Sequence, residues 1–354
     1  MTLASQNFPL PSFFSRDRVA EVYRVPYQDR ATAAEAWAQQ QKIEPAASDR
    51  HRVGLLLIDV QNTFCIPEFE LFVGGKSGMG AVEDNIRLCQ FIYRNLGSIT
   101  EIIPTIDSHT AMQIFHPIFW LNEAGQHPEP ATTIGLAEVE QGVWKVNSDL
   151  AFGLNLTVRQ LEQHALHYAR KLSQDGKYPL TIWTYHSMLG GIGHALVSAV
   201  EEAVFFHSIA RKSPTHFELK GDNPLTENYS VLSPEVLHTV EHKAIAHKNT
   251  SLIQKLIQFD RLLIAGQAKS HCVAWTVDNL LTEIEQINPK LAQKVYLLED
   301  CMSPVIIPEI VDFSELADKT FQRFAEAGIN LIKSTDNIFQ SSYWKAKPVS
   351  DFRL

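Results

Sequence analysis

The chain has 354 residues, of which 45% are hydrophobic and 20% charged, so it is long enough to bury a sizeable core in one large domain. Its formal net charge of -9 argues against nucleic-acid binding and favours a small-molecule partner. No apolar run of about 18 residues occurs, and the N-terminus shows no secretory pattern, so we expect neither membrane spanning nor secretion. The four cysteines contain no Cys-x-x-Cys pair, which predicts reduced thiols in a cytoplasmic protein.

Residues 1–50 are predicted to form an N-terminal extension ahead of the main domain. They include the Ala- and Gln-rich, helix-prone segment RATAAEAWAQQQ. We expect this arm to pack on the domain or on a neighbouring subunit.

Residues 51–340 alternate short apolar runs with amphipathic stretches. Buried parallel strands are predicted at 53–60, 99–107, 179–185, 261–268, 294–300 and 329–335. Crossover helices are predicted near 81–96, 194–206, 233–244, 272–287 and 313–327. This alternation predicts an α/β fold of three αβα layers, with a Rossmann-like parallel sheet of about six strands and flanking helices.

A long excursion at about 118–178 interrupts this pattern and contains the amphipathic segment LTVRQLEQHALHYARKLSQ. An insertion of this length forms either a lid or an oligomer contact. We expect a homo-oligomer, with residues 341–354 as a C-terminal tail.

Four reactive side chains lie at or just beyond predicted strand ends: Asp59, Asp107, His186 and Cys272. Chemistry in such folds collects at the carboxyl ends of the strands, so these side chains can converge. Cys272 also lies where a helical pattern begins, and the helix dipole there favours the thiolate. Each residue has an ordinary alternative: Asp59 as a turn cap, Lys220 as a surface charge and Cys272 as core packing.

Taken together, the motifs GLLLIDVQNTFC, KGDNPLTENYS and GQAKSHCV, in this order, resemble the cysteine hydrolase (isochorismatase-like) superfamily and most closely its nicotinamidase branch. The resemblance covers roughly residues 52–335. It implies a catalytic triad of Asp59, Lys220 and Cys272, and an oxyanion hole formed by the backbone amides of Ala268 and Cys272. It also implies a cis peptide bond between Gln267 and Ala268.

The resemblance further implies a divalent metal, with Zn²⁺ favoured and Fe²⁺ or Mn²⁺ possible, bound by Asp107, His109 and His186. The segment TIDSHTAMQIFHP supports this set, because Asp107 and His109 lie two apart at a strand end and point the same way. His116 is interpreted as a residue behind the metal ligands or at the surface, since its spacing differs from the family pattern.

A substrate pocket is predicted around Phe64, Trp183, Tyr229 and His271. The sequence departs from the family at Thr110, in WTYHS and at Ser270, which leaves nicotinamide itself open as the substrate. We therefore expect hydrolysis of a small carboxamide through a Cys thioester. The alternatives are a metal-independent carbamoyl or ureido hydrolase of the same superfamily and a non-catalytic ligand-binding or scaffold protein.

Overall fold

The computed structural model describes residues 7–339 and contains a six-stranded sheet in which every pair of neighbouring strands is parallel. In chain order the strands are β1 (Val53–Ile58), β2 (Glu101–Asp107), β3 (Glu218–Lys220), β4 (Arg261–Gly266), β5 (Val295–Leu298) and β6 (Asn330–Ile332). Their order across the sheet is β6-β5-β4-β1-β2-β3. The predicted α/β fold class is confirmed, whereas the expected tail at 341–354 lies outside the described residues.

Seven helices of nine residues or more accompany the sheet within residues 7–339: α1 (Tyr27–Gln41), α2 (Gly80–Arg94), α3 (Val158–Gln174), α4 (Ser198–Arg211), α5 (Thr250–Gln258), α6 (Ala274–Ile287) and α7 (Ser314–Glu326). Shorter helices span Asn62–Cys65 and Leu136–Glu140. Two-residue strands pair as Trp120–Leu121 with Lys145–Val146, Thr133–Ile134 with Leu180–Thr181, and Ile306–Ile307 with Val311–Asp312. None of the described helices is long and apolar enough to cross a membrane.

The helices cover both faces of the sheet because alternate residues of β1 point in opposite directions. Leu55 and Leu57 pack in one apolar cluster with side chains of α1, α2 and α4. Leu56 and Ile58 pack in a second cluster with side chains of α3, α5, α6 and α7. The three layers therefore follow from the continuous apolar composition of a strand buried on both sides.

The N-terminal extension packs on the domain of its own chain. Its helix α1 lies against α4, where Arg30 forms a 2.6 Å ion pair with the buried carboxylate of Glu202. The hydroxyl of Tyr23 donates to the same carboxylate at 2.8 Å.

Two predicted elements are wrong. The run 179–185 does not enter the main sheet, because only Leu180–Thr181 is extended and it pairs with Thr133–Ile134 of the insertion. The sixth strand is β3, which is too short and too polar to show a buried-strand pattern. Residues 233–244 form turns and isolated bridges instead of a helix, and the helix of this region is α5.

Candidate active site

The carboxyl ends of three neighbouring strands bring Asp59, Asp107 and Lys220 together. Asp59 follows β1 with a φ of 47°, a left-handed conformation that turns the chain off the strand end. Asp107 ends β2 and lies in register with Lys220, which ends β3. The two carboxylates and the ammonium group are thus positioned by the parallel pairing itself.

Lys220 lies between the two carboxylates and is 4% exposed. Its Nζ lies 3.0 Å from Asp59 Oδ2 and 2.8 Å from Asp107 Oδ1. The same ammonium group donates to the carbonyl of Asn228 at 2.9 Å and lies 3.7 Å from the sulfur of Cys272. Asp59 and Cys272, the other two residues of the predicted triad, therefore both lie next to the buried Lys220 cation.

Cys272 lies in the loop that leaves β4, within a π-helical turn, Lys269–Val273, that leads directly into α6. The Gln267–Ala268 peptide bond is cis, as the resemblance implies. Among the hydrogen bonds of residues 7–339, the amides of Gln267, Lys269 and His271 donate to carbonyl groups, but none uses the amide of Ala268.

Burial and the Lys220 cation shift the pKa values of Cys272 and Asp59 in opposite directions. Burial raises the pKa of the Cys272 thiol well above its ordinary value, although the Lys220 cation opposes the shift. Burial also raises the pKa of Asp59, again opposed by Lys220. Burial would lower the pKa of Lys220, but Asp107 and Asp59 outweigh it and raise that pKa. Burial therefore opposes the effect that the helix start is expected to have on this thiol.

Asp107, His109 and His186 form a buried cluster, in which one potential ligand atom from each residue lies within 4.8 Å of the others. His109 Nε2 is 2.9 Å and His186 Nε2 is 3.9 Å from Asp107 Oδ2. Each ring places its other nitrogen, Nδ1, near a backbone carbonyl, that of Gly221 at 2.9 Å for His109 and that of Thr184 at 2.8 Å for His186. When Nδ1 donates there, both Nε2 lone pairs face the carboxylate, which is the arrangement that divalent metals require.

Gly221 shows how closely the chain approaches this cluster. A Cβ atom at this position would lie 2.6 Å from Asp107 Oδ1 and 2.7 Å from the His109 ring, and the residue has a φ of 87°. Only glycine fits both the space and the backbone. His116 is fully buried beside the cluster, with its ring centroid 6.0 Å from those of His109 and His186, so it is not a surface residue.

The four predicted pocket residues are nearly enclosed. Phe64 is 9% exposed, Trp183 7%, Tyr229 8% and His271 4%. Trp183 Nε1 donates to the Tyr229 hydroxyl at 3.1 Å, and the Phe64 ring meets His186 edge-on at 5.7 Å. Burial lowers the pKa of His271 to about 3, so its ring is neutral at pH 7.

Two further aromatic residues, which sequence reasoning missed, cover this pocket. Tyr178, at the end of the long insertion, donates its hydroxyl to the Ser270 carbonyl at 3.0 Å, and its ring centroid lies 5.2 Å from that of His271. Phe313 meets the same imidazole at 4.7 Å. Neither residue belongs to a local motif, so only the folded structure reveals them.

No protein-family model and no curated protein matches the sequence. Among solved structures, the chain is similar to a nicotinamidase/pyrazinamidase of Acinetobacter baumanii, with a TM-score of 0.49 and 17% identity over 82% of this chain and 99% of that chain. It is also similar to a zinc complex of a pyrazinamidase from Pyrococcus horikoshii (TM-score 0.39, 15% identity, 80% of this chain and 99% of that chain). A third is an N-carbamoylsarcosine amidase from Thermoplasma acidophilum (TM-score 0.38, 13% identity, 80% and 98%). These structures come from the superfamily that the motifs resemble, and at such scores the likeness assigns no activity to this chain.

Proposed function

We propose that this protein is a cysteine hydrolase that cleaves the C–N bond of a small carboxamide through a thioester on Cys272. One observation carries the proposal: the buried Lys220 ammonium group lies within 3.7 Å of the thiol and within 3.0 Å of the Asp59 carboxylate. A buried nucleophile, base and cation in mutual contact have a direct use in acyl transfer.

In this mechanism Asp59 accepts the proton of the Cys272 thiol as the sulfur attacks the carbonyl carbon. The S–C bond forms, the C=O electron pair moves to oxygen, and the amides of Ala268 and Cys272 stabilise the resulting oxyanion. Asp59 then returns its proton to the nitrogen, the C–N bond breaks, and ammonia leaves a thioester behind. Water then attacks the thioester carbonyl and gives a proton to Asp59 as the C–O bond forms. The C–S bond breaks, a carboxylic acid leaves, and Asp59 returns the proton to the sulfur.

Lys220 makes these reaction steps electrostatically feasible. Asp59 and Asp107 would otherwise be two buried carboxylates close together, and the Lys220 cation between them stabilises both. The same ammonium group stabilises the negative charge that moves from Asp59 to the sulfur during attack.

The donor set of Asp107, His109 and His186 fits a divalent metal, Zn²⁺ first and Fe²⁺ or Mn²⁺ next, because it supplies one carboxylate and two imidazoles whose opposite nitrogens are hydrogen-bonded. When bound, such an ion supplies a positive charge that polarises a nearby substrate group. The chain's own contribution is to hold both rings by Gly221 and Thr184 beside the triad.

The test is a screen for ammonia release from nicotinamide, benzamide, acetamide and N-carbamoyl amino acids, run with Zn²⁺, Fe²⁺ or Mn²⁺ and with a chelator. We expect turnover of at least one carboxamide and loss of metal from the variant His109→Ala. The variant His127→Ala, whose ring bonds the Trp120 carbonyl away from the cluster, is the matched control. If the wild type releases ammonia from none of these compounds while remaining folded and metal-replete, the proposal is wrong.

A further inference from the structure

A buried hydrogen-bond network holds Gln267, the residue whose carbonyl begins the cis peptide to Ala268. The Gln267 Nε2 group donates to Asp84 Oδ2 at 2.8 Å, and the Gln267 Oε1 atom accepts from the Ser303 amide at 3.2 Å. A backbone amide can only donate, so this second bond fixes the orientation of the Gln267 side chain. Asp84 must then be the acceptor.

Asp84 belongs to α2 and is 2% exposed, so it reaches the loop from a different layer of the fold. Its other oxygen, Oδ1, accepts from Arg87 Nη2 at 2.8 Å. Arg87 also donates to the carbonyl of Asp300. One side of α2 therefore holds both the loop after β4 and the segment after β5.

The two segments are also joined to each other. The amide of Lys269 donates to the Ser303 carbonyl at 2.8 Å, while the Ser303 amide bonds Gln267. Ala268, one of the two amides assigned to the oxyanion hole, lies between these anchored residues. A displacement of Gln267 would therefore also displace Ala268.

We propose that Asp84 is a positioning residue that aims the Ala268 amide at the substrate oxygen by fixing the Gln267 side chain. Asp84 touches neither the triad nor the metal ligands in any of the contacts described above. The inference rests on the proposed acyl-transfer function, and it adds α2 to the elements that determine the geometry of the oxyanion hole.

The inference can be tested by exchanging the hydrogen-bond donor and acceptor between positions 84 and 267. In Asp84→Asn the new amide group must face either Gln267 or Arg87, both of which are donors, so one contact is lost. In Gln267→Glu two carboxylates face each other. When Asp84→Asn and Gln267→Glu are combined, the introduced amide can donate to the introduced carboxylate and still accept from Arg87. That carboxylate still accepts from the Ser303 amide, so these three hydrogen bonds and the total charge are restored.

Two kinds of probe distinguish a change in the oxyanion hole from a change in the nucleophile. The Cys272 sulfur adds to the carbonyl carbon of benzaldehyde or nicotinaldehyde and its proton passes to Asp59. The carbonyl electron pair then becomes an oxyanion that the hole binds. Iodoacetamide is attacked by the same sulfur with loss of iodide, and no oxyanion forms. Dissociation constants for the aldehydes are measured by titration, and alkylation of Cys272 is followed by mass spectrometry.

We expect each single variant to raise the aldehyde dissociation constant about tenfold, less than the 10²–10³ that removing a donor costs, while the alkylation rate changes less than about threefold. The double variant should return the constant to within about threefold of wild type, because coupled partners restore one another. Three results would overturn the inference. The aldehyde dissociation constant could be unchanged in both single variants, aldehyde affinity and alkylation rate could fall by the same factor, or the double variant could fail to recover aldehyde binding. If the wild type reacts with neither probe at Cys272, the proposed function fails instead.

Discussion

Replacement of Lys220 by methionine removes the cation of the triad but keeps most of the side-chain length. The ammonium group is buried and makes two ion pairs, at 2.8 Å to Asp107 and 3.0 Å to Asp59. Removing one partner of a buried pair costs about 3–5 kcal/mol, because the remaining charge stays buried without compensation. We therefore expect Lys220→Met to lower the free energy of unfolding by about this amount at pH 7.

The pH dependence of this loss has a definite sign. Burial already raises the pKa of Asp59, with Lys220 as the main opposing influence, so the variant raises that pKa further. A native carboxyl group with a raised pKa binds a proton that the unfolded chain releases, so the loss caused by the variant is smaller at a pH below the native pKa of Asp59 than above it. Urea unfolding at pH 7 and pH 5, with amidase assays on the folded protein, measures both effects.

Lys248→Met is the matched control, since this lysine pairs with Glu283 at 2.6 Å but its side chain is 47% exposed. An exposed pair contributes only about 0–1 kcal/mol. Activity should fall at least about 10²-fold in Lys220→Met, as for loss of an electrostatic catalytic group, and stay unchanged in the control. Equal losses of stability in the two variants at pH 7 would refute the argument that burial makes Lys220 different.

Three further outcomes are expected. Cys272→Ala should abolish carboxamide hydrolysis while metal content stays at the wild-type level, and hydrolysis at near wild-type rate would mean that the thiol only packs the core. Tyr178→Ala should open the aromatic cover, so that larger aromatic carboxamides are hydrolysed and KM for small ones rises; an unchanged substrate range would exclude a covering role for this ring. Burial lowers the pKa of His207 from 6.5 to about 4, so native stability falls as pH drops below 6.5. The variant His207→Gln keeps a donor for the Ile99 carbonyl. Between pH 7 and pH 5 its free energy of unfolding, measured with urea, should fall by about 2 kcal/mol less than that of the wild type. An equal fall in both proteins would contradict the assignment.

The sequence predicts the centre of the fold well because β1 and the part of β4 after Arg261 are continuous apolar runs, a pattern typical of buried parallel strands. Prediction fails where tertiary pairing decides. The run 179–185 is apolar enough for a central strand, but its extended residues pair with a short strand of the insertion. The three-residue β3 has an exposed leucine between two charged residues and forms a strand only because β2 is beside it.

Some residues of the candidate site can likewise be predicted from the sequence and others cannot. Asp59, Asp107 and Cys272 carry a local signal, since each follows or ends an apolar run or begins a helical one. Asp84 carries none, because an aspartate inside an amphipathic helix normally faces solvent, and only its 2.8 Å contact with Gln267 distinguishes it. Tyr178 likewise depends on where the insertion returns to the domain.

The position of Lys220 on β3 has a kinetic consequence. In the part of the chain that is described, β3 is an edge strand with β2 as its single neighbour, and Leu219 beside Lys220 is 61% exposed. Opening of this strand alone would withdraw the ammonium group while the other five strands stay paired. Hydrogen exchange at the β3 amides would then report the fraction of folded molecules in which the ammonium group has momentarily left Asp59 and Asp107.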